Sequence, residues 1–157
     1  MNRYLLWGSR LLVVLQFVLI GSYWWSLPEE IPIHFNLQGQ ADRTGSKQTI
    51  WLLPVISLLL VLIFEWINRS VLSHLPPGKS STFKQELRLS TRMMYWLSLY
   101  FAAIFLYLSW LVIQVCLEQR VSLGSTFIWM TGIGTAVITL VYLIAIGLLK
   151  FGNQKEV

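Results

Sequence analysis

The residues best suited to chemistry gather in one polar stretch near the amino end of the chain. In LPEEIPIHFNLQGQADRTGSK, which covers residues 27–47, Glu29 and Glu30 precede His34, and Asp42 follows it. A histidine with carboxylates can bind zinc, and two carboxylates can act as general acid and base. A metal-dependent membrane enzyme built on these four residues is therefore one hypothesis.

The same residues also have a structural interpretation. A metal site needs three or four ligands, and this stretch supplies one histidine and no cysteine. The His-Glu-x-x-His motif of zinc proteases does not occur in the sequence. His34 can instead donate a hydrogen bond to Asp42 or to a carbonyl and so hold the shape of the loop. We therefore expect a non-enzymatic protein without a cofactor.

The overall composition indicates a membrane protein. The 157 residues are 55% hydrophobic and 12% charged, whereas soluble domains are about one quarter charged. The eight tryptophans agree, because indole rings collect at bilayer interfaces. The formal charge of +5 does not indicate nucleic-acid binding, since no soluble basic domain is present to carry it.

Four segments are long and apolar enough to cross a bilayer as helices. They cover about residues 5–27, 50–67, 93–117 and 126–149. The alternating pattern of a membrane strand is absent, so only helices remain as the spanning form. The sequence thus predicts an all-α integral membrane protein with four transmembrane helices, a single domain over 1–157, and a structured outer loop at 28–48.

The distribution of lysine and arginine predicts the orientation. One side would carry nine of them: Arg3, Arg10, Arg69, Lys79, Lys84, Arg88, Arg92, Lys150 and Lys155. The other side would carry three: Arg43, Lys47 and Arg120. Both termini should therefore be cytoplasmic, with the 28–48 loop outside a plasma (inner) membrane. Arg10 is expected to extend toward the lipid headgroups.

The second loop and the following helix start, residues 68–92, form the predicted cytoplasmic segment. Pro76, Pro77 and Gly78 end one helix, and His74 beside them lacks a second metal ligand nearby. Thr82 and Gln85 form a capping box for a helix that should run unbroken to about Leu117. Its basic residues recur every four positions and so line one face, namely Lys84, Arg88 and Arg92. We expect this face to contact lipid headgroups; docking of a cytoplasmic partner is the alternative.

Polar and small residues within the spans predict contacts between helices. Glu65 and Arg69 can pair because they are four residues apart. Gln16 is expected to hydrogen-bond across helices. Gly132 and Ala136 permit close helix approach, inside the protein or between copies. A homo-oligomer or a complex with another membrane protein is therefore compatible with the sequence.

The outer loop contains a short extended stretch. Ile31, Ile33 and Phe35 alternate with other residues and should share one face, while His34 points to the other. Pro32 has no backbone N–H, so an edge strand or a free extended segment is expected. Gly39 and Gly45 suit sharp turns. The loop is therefore expected to hold a defined shape.

This loop carries a family resemblance. LPEEIPIHFNLQGQADRTGSK, followed by TIWLLP, closely resembles the signature of the bacterial membrane domain of unknown function 1648, and QELRLSTRM looks like its later part. Where that family often has Trp-Gly after the aspartate, this chain has Arg43-Thr44-Gly45. The matching positions are Pro28, Ile31, Pro32, His34, Phe35, Asn36, Gly39, Asp42 and Lys47.

The resemblance implies a function. This domain also forms the first part of the Sdp-type (SdpI-like) immunity proteins, which protect bacilli from their own secreted killing peptide. A further membrane region follows it there, and this chain is too short to hold one, so immunity enters as an analogy. We expect the matching residues to recognise an extracellular or membrane-inserted ligand, with a toxin peptide as the example. The alternatives are the metal-dependent enzyme and an accessory subunit of a transporter.

Overall fold

The computed structural model describes residues 3–73 and 81–154. The elements in chain order are α1 (Arg3–Tyr23), β1 (Glu30–Phe35), β2 (Ala41–Ser46), a 3-10 helix (Lys47–Trp51), α2 (Leu52–Ser73), α3 (Ser81–Cys116) and α4 (Ser125–Gln154). The predicted turn at His74, Pro76, Pro77 and Gly78, with Lys79, lies outside the described residues.

Four helices of the described chain are long and apolar enough to cross a membrane, at Tyr4–Tyr23, Lys47–Val71, Phe83–Cys116 and Trp129–Leu148. The prediction of an all-α integral membrane protein with four spans is confirmed. The outer loop adds a small two-stranded sheet between α1 and α2, which the all-α class did not include.

The helix boundaries differ from the predicted spans in physically simple ways. α1 ends at Tyr23 rather than near residue 27, because the amides of Ser26 and Leu27 both bond back to the Tyr23 carbonyl in a closing turn. α2 continues to Ser73, so the predicted cytoplasmic segment 68–92 begins inside that helix. α3 is one unbroken helix of 36 residues, in agreement with the prediction of a continuous helix from near Thr82 to about Leu117.

Helices α1, α2 and α3 form a three-helix core. Val13, Val61 and Ala102 pack together at its centre, one from each helix. The buried Gln16 amide donates to Ser57 Oγ at 3.2 Å and to the Ala102 carbonyl at 2.9 Å. This confirms the predicted bond between helices. Because a buried amide is costly without partners, Gln16 fixes how the three helices fit together.

A charged network joins α1 to α2 at the end of the bundle where α1 begins and α4 ends. Glu65 is buried and accepts from Arg69 one turn later, as predicted. The Arg10 guanidinium also donates to both carboxylate oxygens of Glu65, at 2.7 and 2.8 Å. Arg10 therefore binds a buried carboxylate, where the sequence indicated only lipid headgroups.

Helix α4 packs mainly on α3. The Tyr100 hydroxyl donates to the Met130 carbonyl at 2.8 Å, and the hydroxyls of Ser90 and Tyr142 lie 2.8 Å apart. The contact between Tyr100 and α4 requires a glycine at position 134, because a Cβ there would overlap the Tyr100 ring. Gly132 and Ala136 are exposed on α4. They therefore do not mediate packing within the chain, and contact between copies stays a prediction.

The second core lies at the other end, here called the hairpin end. It joins the hairpin to α1, α3 and the α3–α4 connection, and its most buried members are Ile20, Leu27, Ile31, Ile50, Leu111, Val112, Ile113 and Leu123. The hairpin is thus packed on the bundle and is not a free loop.

Candidate functional site: the hairpin between α1 and α2

The predicted loop 28–48 is an antiparallel hairpin with two irregular positions. Ile31 faces Gly45 and Pro32 faces Thr44, after which the register shifts so that His34 faces Arg43. A second shift precedes the pairing of Phe35 with Ala41. The extended segment around Pro32 is confirmed as a strand with an open edge. The second strand was not predicted, because ADRTGS lacks the β-branched and aromatic pattern of strands.

Ile31 of β1 is fully buried against the bundle, and Ile31, Pro32, Ile33 and Phe35 all line one cavity of about 410 Å³. Ile33 is 43% exposed and the register shifts on both sides of His34, so burial along β1 does not follow the predicted alternation. The first turns of α2 and residues of α3 complete the lining. A Cβ at position 45 would lie 2.8 Å from Cδ1 of Ile33, so Gly45 gives Ile33 its space.

The base of the hairpin is held by Lys47. Its ammonium lies 2.8 Å from Glu29 Oε1 and 5.0 Å from the centre of the Trp24 ring. The Lys47 amide also donates to the Glu29 carbonyl at 2.9 Å. The Lys47 side chain is only 13% exposed, whereas the Glu29 side chain is 83% exposed, so solvent screens this ion pair from the acidic side. Lys47 therefore closes the hairpin where the chain enters α2.

The tip of the hairpin is formed by Asn36 and Gly39. Asn36 Oδ1 accepts hydrogen bonds from the backbone amides of Gln38 and Gln40, at 3.0 and 2.9 Å, and so stabilises a local turn. Gly39 has φ +76°, a conformation that favours glycine. A Cβ there would lie 3.0 Å from the Gly124 amide nitrogen, and the Gly39 carbonyl accepts from Leu123 at 2.8 Å. The tip is thus docked on the α3–α4 connection.

His34 and Asp42 face each other across the irregular part of the hairpin. Nδ1 of His34 lies 2.5 Å from Oδ1 of Asp42, which is the predicted structural pair. Both side chains remain accessible, at 64% and 45% exposure. Their side chains are therefore accessible to a ligand from solvent.

The structure separates the four residues of the metal hypothesis. His34 and Asp42 are together, but Glu29 lies at the base of the hairpin on Lys47, and Glu30 faces Ser46. Across residues 3–73 and 81–154, no three His, Cys, Asp or Glu side chains are close enough to hold a metal ion.

Sequence reasoning missed the partners that receive the hairpin. Trp24 was interpreted only as an interface aromatic, yet its ring lies against the Lys47 ammonium. Leu123 and Gly124 were not identified, although they contact the tip. The one available signal was the glycine just before the fourth span, which is typical of a turn with positive φ.

The arrangement offers a rigid surface with an open strand edge. β2 pairs only with β1 within the described part of the chain, and five of its six residues are exposed. Leu37 at the tip is 84% exposed. An exposed strand edge with neighbouring apolar side chains can receive an extended chain.

Comparison with known proteins identifies the same region. Residues 11–58 match a family model described as a domain of unknown function (DUF1648). No curated protein and no solved structure matches the chain. The matched part runs from within α1 through the whole hairpin into α2. This segment is therefore similar to the DUF1648 family, as its Ile-Pro-x-His-Phe-Asn motif predicted.

Proposed function

We propose that the protein is a non-enzymatic recognition protein of a bacterial-type plasma membrane. In this proposal the hairpin faces outward and binds an extracellular or membrane-inserted peptide, in an immunity-like role. The excess of basic residues on the segments at the other end of the bundle supports the orientation. The resemblance to the domain shared with SdpI-like proteins supports a peptide ligand.

The observation that carries the proposal is the rigidity of the hairpin. Lys47 fixes its base, Asn36 shapes its tip, and the Gly39 carbonyl ties that tip to Leu123. A surface ordered before binding loses less conformational entropy when its ligand docks. Three separate anchors around an exposed edge are what a prearranged binding surface requires.

Strand addition at β2 is the binding mode that suits this surface. An extended peptide can pair its backbone with the open edge of Ala41–Ser46, and its side chains then select among neighbouring groups. The accessible groups near that edge include Arg43 and Thr44 of β2, the His34–Asp42 pair, and Leu37 at the tip.

The metal-dependent enzyme remains the alternative proposal, because His34 and Asp42 do lie in contact. Recruiting Glu29 as a third ligand would break its ion pair with Lys47. Metal analysis of the purified protein separates the two proposals. Stoichiometric zinc that disappears in His34→Ala would favour the enzyme. An accessory transporter subunit would instead be indicated by a co-purifying transporter.

Photo-crosslinking in living source cells tests the recognition proposal. A photoreactive residue is placed at Leu37 or at Thr44 on β2, and a matched control replaces Trp129, which is exposed on α4. We expect a discrete peptide adduct at both hairpin positions, lost in His34→Ala and missing at the control. Protease resistance of the hairpin checks that each variant is folded. Folded, surface-labelled protein without any hairpin adduct would contradict the proposal.

A further inference from the structure

The basic face of α3 continues without a break into an apolar cleft. Lys84, Arg88 and Arg92 are exposed and four residues apart, and Trp96 follows at the same spacing. Each step of four residues turns about 40° around the helix, so Arg92 lies just below Trp96, while Arg88 and Lys84 lie progressively to one side. Glu86 occupies a different face because it is two residues from Arg88.

The cleft lies between α3 and α4 and has a volume of about 500 Å³. It is lined by Met93, Trp96, Leu99, Tyr100 and Ala103 of α3 with Val137, Ile138 and Val141 of α4. Hydrogen bonds tie α4 to α3, from the Tyr100 hydroxyl to the Met130 and Thr131 carbonyls and between Ser90 and Tyr142. On α3, Ser90 precedes Met93 and Tyr100 follows it, so these hydrogen bonds hold α3 and α4 together around the cleft.

We propose that this cleft binds one acyl chain of an anionic phospholipid whose phosphate lies on Arg88 and Arg92. A charged head beside a wholly apolar slot matches the two parts of such a lipid. Arginine binds phosphate oxygens through two parallel hydrogen bonds, which makes it well suited to the head position.

The dimensions agree with one lipid leaflet. Arg92 and Ala103 are eleven residues apart on a continuous helix, which corresponds to about 16 Å along its axis. Half of a typical hydrocarbon core is about 15 Å. An acyl chain that starts at the basic face would therefore fill the cleft and end near the middle of the bilayer. This site is at the end of the bundle opposite the hairpin, and it does not depend on the function proposed above.

Native mass spectrometry of the purified protein in detergent tests the site. Equal amounts of dioleoyl phosphatidylglycerol and dioleoyl phosphatidylcholine are the probes, since they share acyl chains and differ in net charge. We expect one retained phosphatidylglycerol in the unmodified protein. Arg88→Gln with Arg92→Gln should lower the apparent affinity for it roughly thirtyfold, because each basic residue near the surface contributes about 1 kcal/mol. Ala103→Phe should fill the cleft and reduce retention of both lipids.

Two matched controls make the outcome decisive. Arg120→Gln removes a cation from the hairpin end, and Ile133→Phe enlarges an exposed α4 residue outside the cleft. Both should retain phosphatidylglycerol like the unmodified protein, and circular dichroism checks that every variant is helical. Undiminished retention in the double arginine variant would overturn the headgroup assignment. Undiminished retention in Ala103→Phe would overturn the cleft as the acyl site.

Discussion

At the scale of single residues, most side chains of the 28–47 motif stabilise the backbone conformation of the hairpin. Asn36 accepts two amides of the turn, Lys47 closes the base, and Gly39 permits a positive φ against Gly124. The His34–Asp42 pair combines chemical capability with access to solvent. A mostly structural motif is consistent with a surface whose task is to be prearranged.

Replacing Asn36 tests this structural role. Asn36→Ala removes the oxygen that accepts the amides of Gln38 and Gln40. Each such bond contributes about 1 kcal/mol, so the loss of both should make local opening of the tip roughly thirtyfold more frequent. Hydrogen exchange at the amides of Gln38 and Gln40 measures the change. Asn36→Asp retains an acceptor oxygen and should exchange nearly as slowly as the unmodified protein. Equal protection in Asn36→Ala would show that the turn forms without its side chain.

At the scale of elements, the sequence predicts those helices that follow from the length and periodicity of apolar segments. The four helices follow from apolar length, and the continuity of α3 follows from its lack of interior proline, although the helix begins at Ser81, one residue before the predicted cap Thr82. The strand β2 could not be predicted, because it is ordered by pairing with β1 and not by its own composition. The Arg10–Glu65 contact was also missed, since it joins residues from different helices that carry no local pattern.

The docking of the hairpin tip is testable through Gly39. Gly39→Ala introduces a side chain where φ is positive and where the added atom would meet the Gly124 amide. We expect a loss of about 1–3 kcal/mol, from backbone strain and a displaced tip. Gly132→Ala is the matched control, because its site on α4 is open and alanine favours a helix. Thermal unfolding in detergent compares the two. A tip that tolerates Gly39→Ala as well as α4 tolerates Gly132→Ala would contradict the docked arrangement.

At the scale of the whole molecule, the two ends of the bundle are built differently. The hairpin end combines an apolar core with a rigid polar surface, and the opposite end joins α1 to α2 through Arg10, Glu65 and Arg69. Buried charges within a membrane bundle require close partners, so this network fixes the relative position of α1 and α2. A fixed bundle provides the support that keeps the hairpin in place at the other end.

The orientation of the bundle in the membrane determines which side of the membrane the hairpin faces. Single cysteines replace Gln38 at the hairpin tip and Lys84 on the basic face of α3, both exposed, in a Cys116→Ala background. An impermeant thiol reagent applied to intact cells should label Gln38→Cys and spare Lys84→Cys, because basic residues are retained on the cytoplasmic side. After the cells are permeabilised, both positions should react, which shows that each thiol is accessible. The reverse pattern in intact cells would place the hairpin in the cytoplasm and would remove the basis for recognition of an extracellular peptide.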